Sequence, residues 1–118
     1  MKLHHYRVRI IRNPGVYNWN KNEFISEQVE IVAQNETYIV INDWYFTKIK
    51  KERCSYETYL NKPSISIRTN DRSLDNGIFY TLYSEKPVKP DKIKSEIQAK
   101  ISKDYSWLLG DIDLSIIK

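Results

Sequence analysis

The chain has 118 residues and a formal charge of +4, with 29% charged and 41% hydrophobic side chains. That balance belongs to one ordinary globular domain, able to bury about two-thirds of its unfolded surface, and excludes a disordered chain. The mild basic excess permits an anionic partner without requiring one and excludes mimicry of DNA, and no apolar run approaches the roughly 20 residues that span a bilayer.

Lys2 to Arg12 predicts a first strand, with Tyr6, Val8 and Ile10 on one face and His5, Arg7 and Arg9 on the other. This charged, alternating start lacks the apolar core of a signal peptide. Asn13-Pro14-Gly15 ends the strand, and Val16 to Glu23 is expected to be a structured loop. A meander follows over Val29 to Lys51. Phe24 to Ala33 forms its first strand, with a bulge expected near Ser26-Glu27 and with Val29, Ile31 and Ala33 sharing a face. Gln34-Asn35-Glu36 turns the chain into Thr37 to Ile41, which is apolar on both sides. Asn42-Asp43 fits a tight turn into Trp44 to Ile49.

Lys50 to Pro63 reads as a loop or a short helical turn, and Ser64 to Thr69 as a half-buried strand. Asn70 to Gly77 is rich in turn formers, and Ile78 to Ser84 gives a further strand. Pro87 and Pro90 then break the β pattern. With Asp91 as N-cap, apolar residues at 93, 97, 101, 105 and 108 predict one amphipathic helix over about 91–109, stopped by Gly110. Asp111 to Lys118 alternates and predicts a final strand that could close the sheet or pair two chains as a homodimer. The expected fold is α+β: a curved antiparallel sheet of five to seven strands, or a small SH3-like barrel, packed by one C-terminal helix.

Catalytic chemistry finds little support. His4 and His5 are adjacent in a strand, so they point to opposite faces and packing is the plainer role for both. Cys54 is the sole cysteine, which rules out an internal disulfide and makes a reducing cytoplasm the expected compartment. Basic neighbours would lower its pKa a little, but no histidine lies nearby in sequence to act as base. Asp71, Asp75, Asp111 and Asp113 are the carboxylates most like ligands, and turn capping explains the first two. No zinc spacing and no glycine-rich phosphate loop occurs. A non-enzyme without metal or cofactor is therefore expected.

Binding surfaces are better supplied. Arg7 and Arg9 share one face of the first strand, and Lys48, Lys50 and Lys51 follow the aromatics Trp44, Tyr45 and Phe46. A basic groove with aromatic platforms suits single-stranded nucleic acid. Tyr, Trp and Arg equally dominate protein interfaces, and Trp19 in the polar aromatic loop adds to that set. Arg7, Arg9, Trp19, Trp44, Tyr45, Lys48, Lys50 and Lys51 are the expected partner-binding residues. Many basic residues are matched by glutamates along the chain, and most aromatics are needed for a core that has only two alanines.

Ile, Lys, Asn and Tyr supply 47 of the 118 residues, the coding bias of an AT-rich bacterial genome or its mobile elements. A tyrosine-rich meander (YIVINDWYFTKIKK, 38–51) followed by a lysine-rich helix (KPDKIKSEIQAKISKDY, 89–105) resembles the small accessory proteins of phages and mobile elements in low-GC bacteria. Many such proteins bind and block a host factor, including inhibitors of restriction, CRISPR and nucleotide-signalling defences. The resemblance implies an anti-CRISPR-like binding protein directed at a host protein or ribonucleoprotein, and it carries over no functional residue. The alternative is a basic nucleic-acid-binding module using Arg7, Arg9, Lys48, Lys50 and Lys51, and the third reading is a metal-dependent nuclease.

Overall fold

Strand β1 (Lys2–Ile11) lies at the centre, antiparallel to β2 (Glu23–Gln34) on one side and to β6 (Gly77–Ser84) on the other. The computed structural model describes residues 2–11, 22–42, 46–51, 59–68, 77–104 and 114–118. Outward from that centre come β3 (Tyr38–Ile41), β4 (Lys48–Lys50) and β5 (Ser64–Arg68). Among the described residues the order is β4-β3-β2-β1-β6-β5, antiparallel throughout, followed by helix α1 (Pro90–Asp104). The protein has an α+β fold in which a six-stranded sheet curls into a half-barrel.

Period-two alternation in β1 gives it two cores, one on each face. Tyr6, Val8 and Ile10 pack with Ile78, Tyr80 and Leu82 beneath Ile93, Ile97 and Ile101 of α1. On the opposite face, Leu3 packs with Val29 and Tyr83 beneath Ile39, Ile41 and Ile49 of the β3–β4 hairpin. Strand β2 makes this possible by serving both sheet neighbours. Its first part pairs with β1 up to Lys2↔Glu30, and its end pairs with β3 from Ile31↔Ile41.

The bulge in β2 lies between Ile31 and Ala33, not near Ser26-Glu27, where the ladder to β1 is unbroken. A bulge bends a strand and increases its twist, so it belongs where β2 leaves β1 for the hairpin. The extra residue also turns Ala33 out to solvent, away from the face it was expected to share with Val29. A short segment after the hairpin holds the curl. Tyr59 bridges to Lys50 and Leu60 to Tyr83, with the Leu60 N–H donating to the Lys50 carbonyl at 2.9 Å. Asn61 takes a left-handed φ of 63°, and its Oδ1 accepts from Ser84 Oγ at 3.2 Å and from the Glu85 N–H at 3.0 Å. Asparagine is among the residues that tolerate this backbone.

The helix starts at Pro90, where the missing N–H and fixed φ suit the first helical position. The Lys89 carbonyl accepts from the N–H of Lys92 at 3.0 Å, so Lys89 stands at the N-cap and Asp91 falls within the first turn. Residues 105–110, including the expected glycine stop, lie outside the described residues. Tyr80 reaches across the core and donates its Oη to Glu96 Oε2 at 3.0 Å. Residues 114–118 form a turn, with the Ile117 N–H donating to the Leu114 carbonyl at 3.1 Å, instead of the predicted strand. Ile117 is buried in the helix-side core and Leu114 and Ile116 pack at its margin. The adjacent pair Ile116-Ile117 is served by a turn, whereas a strand would send one of them to the opposite face. These residues offer no strand through which two chains could pair.

Candidate interaction surfaces

Arg7 and Arg9 project from the face of β1 that the hairpin leaves uncovered. Cross-strand register puts Arg9 directly opposite Glu23, and both guanidiniums reach the same carboxylate. Arg7 Nη2 lies 3.3 Å from Glu23 Oε1 and Arg9 Nη2 lies 3.8 Å from Oε2. The two guanidiniums share one counter-charge, and the pairs are exposed enough to be worth little in stability. Phe79 and Thr81 line the shallow depression of about 270 Å³ beside them. The pattern of β1 announced the two arginines, and Glu23 was expected to be loop.

Lys48 and Lys50 stand elsewhere. Ile39, Ile41 and Ile49 turn into the core beneath the hairpin, so Tyr38, Val40, Lys48 and Lys50 face away from it. Both lysine Nζ atoms approach the Tyr38 ring, at 5.7 Å for Lys48 and 5.6 Å for Lys50. An ammonium over an aromatic face is attracted by the ring quadrupole, by about 0.5–1 kcal/mol where exposed. The result is an aromatic ring flanked by two cations. Lys51 belongs to a third place: its N–H donates to the Thr37 carbonyl at 2.9 Å, and it lines a cleft of about 680 Å³ with Lys2 and Glu36 over a floor of Leu3, Ile39 and Leu60.

Sequence reasoning missed Tyr38 because the hairpin is wider than expected. A tight turn at Asn42-Asp43 would place Ile41 opposite Trp44. Instead the Ile41 N–H donates to the Thr47 carbonyl at 3.1 Å, and the register runs Val40↔Lys48 and Tyr38↔Lys50. It is this register that sets the lysines beside the tyrosine. Phe46 sits in the widened connection with φ 49° and is 60% exposed, while Val32 at the β2 bulge is 49% exposed. Among the described residues these are the large apolar side chains left to solvent.

Trp19, Trp44 and Tyr45 lie outside the described residues, as do Cys54 and the four aspartates considered as ligands. Comparison with known protein families, curated proteins and solved structures found no match. The site therefore rests on its own geometry. His5 stacks on Tyr83 at 4.3 Å with its Nδ1 3.3 Å from Glu27 Oε1, and His4 stacks with Tyr6 at 6.5 Å. The two imidazoles occupy opposite faces of β1 and both pack. Among the described residues no three His, Cys, Asp or Glu side chains gather as metal ligands, and no helix is long and apolar enough to cross a membrane.

Proposed function

We propose that this chain is a non-enzymatic binding protein, encoded by a phage or mobile element, that acts by occupying a surface of a host protein or ribonucleoprotein. The observation that supports this reading is the outward face of the β3–β4 hairpin. Tyr38 lies between Lys48 and Lys50, and Phe46 is held exposed in a left-handed backbone. Exposed aromatic side chains are the residues that anchor interface centres, and charged residues such as these lysines belong to the polar rim around them. The exposed aliphatic Val32 favours a protein over bare nucleic acid, because it gains little from a phosphate backbone, whereas Phe46 suits either partner.

The second reading, a nucleic-acid-binding module, is supported by the same tyrosine, since a ring between two lysines can stack a base and meet its phosphates. Arg7 and Arg9 would bring the Glu23 carboxylate they share into any such contact. Titration of labelled single- and double-stranded DNA and RNA separates the two readings. A binder neutralising six or more phosphates loses roughly a thousandfold in affinity between about 50 and about 200 mM salt. The protein-binding reading expects no such steep binding. Micromolar binding with that slope, abolished by Lys48→Glu with Lys50→Glu, would replace it with the nucleic-acid reading.

A further inference from the structure

The two terminal strands of the sheet are finished differently. Strand β4 is three residues long, carries Lys48 and Lys50, and is joined to the following segment by the Lys50–Tyr59 bridge. Short length, lysines and a covered edge are the means by which native sheets prevent pairing with other chains. Strand β5 is five residues long, carries no lysine, and among the described residues has no covering segment on its outer edge. From Ser64 to Ile67 it contains no charge and no proline, Pro63 standing just before it. Its ladder to β6 runs from Ser64↔Thr81 to Arg68↔Gly77 without a bulge, and no described residue pairs with its outer edge. Ser64 and Ser66 are exposed, while Ile65 and Ile67 are half-buried at the margin of the helix-side core.

We propose that the outer edge of β5 pairs with β5 of a second copy of this chain, antiparallel about a twofold axis through Ser66. The strand is self-complementary in that register and uses all of its residues. Ile65 stands opposite Ile67 of the second copy, Ser66 opposite Ser66, and Ser64 opposite Arg68. Directly opposed residues share a face, so both isoleucine pairs fall on the helix side, where each residue already packs against its own core. The apolar margins of the two copies become continuous, both α1 helices lie on one side of a single joined sheet, and the strand register sets no two like charges directly opposite. A twofold edge contact of this kind closes on itself, leaving no further unguarded edge to propagate.

Ser66 makes the test sharp because it is exposed and contributes nothing to either core. Ser66→Lys and Ser66→Glu each place like charges opposite one another at the axis, while a mixture of the two places opposite charges there. Sedimentation equilibrium is expected to give a dimer for the natural chain, a monomer for each variant alone, and a dimer again for the equimolar mixture. Hydrogen exchange on the natural chain is expected to slow at residues 64–68 as concentration rises. A monomer up to millimolar concentration, or a dimer indifferent to both substitutions with exchange at 64–68 independent of concentration, overturns the proposal.

Discussion

Phe46 is held where a bulky side chain does not rest unaided, with φ 49° and a ring 60% exposed. Left-handed backbone costs an ordinary residue about 1–2 kcal/mol, and burial within the chain returns little of it. Strain retained at an exposed aromatic is expected where the ring is used. Phe46→Gly should therefore raise the unfolding free energy by about 0.5–1 kcal/mol in urea denaturation, while weakening partner capture. A loss of stability would mean that the ring packs within the chain. Tyr80 is the opposite case, a ring wholly inside. Burial foremost, then the charge of Glu96 and the hydrogen bond to it, disfavours the phenolate and holds the pKa above the ordinary value of 10. The stabilisation is full below that value. Above it the unfolded chain gives up the proton while the folded chain keeps it, so stability falls as pH rises. Tyr80→Phe removes this contribution, about 1.4 kcal/mol per pH unit. Between about pH 9 and about pH 11 the natural chain should lose more stability than the variant, and equal losses would show that folded Tyr80 ionises like a free phenol.

Each face of β1 is covered by a different element, so the two cores can loosen separately. Ile41 and Ile97 are both fully buried, one under the hairpin and one under the helix. Truncating a buried isoleucine to alanine costs about 2–5 kcal/mol. Ile41→Ala is expected to speed hydrogen exchange in β3 and β4 before β1, β6 and α1, as a local opening. Uniform acceleration across both cores would show instead that hairpin and helix unfold together. The sequence carried much of this arrangement. Tyr6, Val8 and Ile10 alternate with His5, Arg7 and Arg9 as plainly as any two-sided strand, and Ile93, Ile97 and Ile101 mark the buried stripe of α1. What it did not carry were features set by long-range pairing. The β2 bulge falls where that strand changes neighbours, which no local pattern records. Asn42-Asp43 has the composition of a tight turn, yet pairing of Ile41 with Thr47 lengthens the connection. Leu114 and Ile116 alternate like a strand, and Ile117 is nonetheless drawn into the helix-side core through a turn.

Over the whole molecule, the basic residues that look like one set in the sequence divide into separate places. Arg7 and Arg9 share Glu23 on the sheet face beyond the hairpin, Lys51 lines a cleft, and Lys48 and Lys50 flank Tyr38 on the hairpin. Composition shows the supply of cations, but only the curl of the sheet decides which of them share a surface. The hairpin surface is thus the centre of the account, and affinity capture from the lysate of a low-GC bacterium, at moderate salt and after nuclease treatment, tests it most directly. Three baits are compared: the natural chain, Arg7→Ala with Arg9→Ala, and Phe46→Ser with Lys48→Glu and Lys50→Glu. One discrete protein is expected to be retained by the first two and lost by the third. The same proteins on all three baits, or a partner lost only when the arginines are removed, would contradict it.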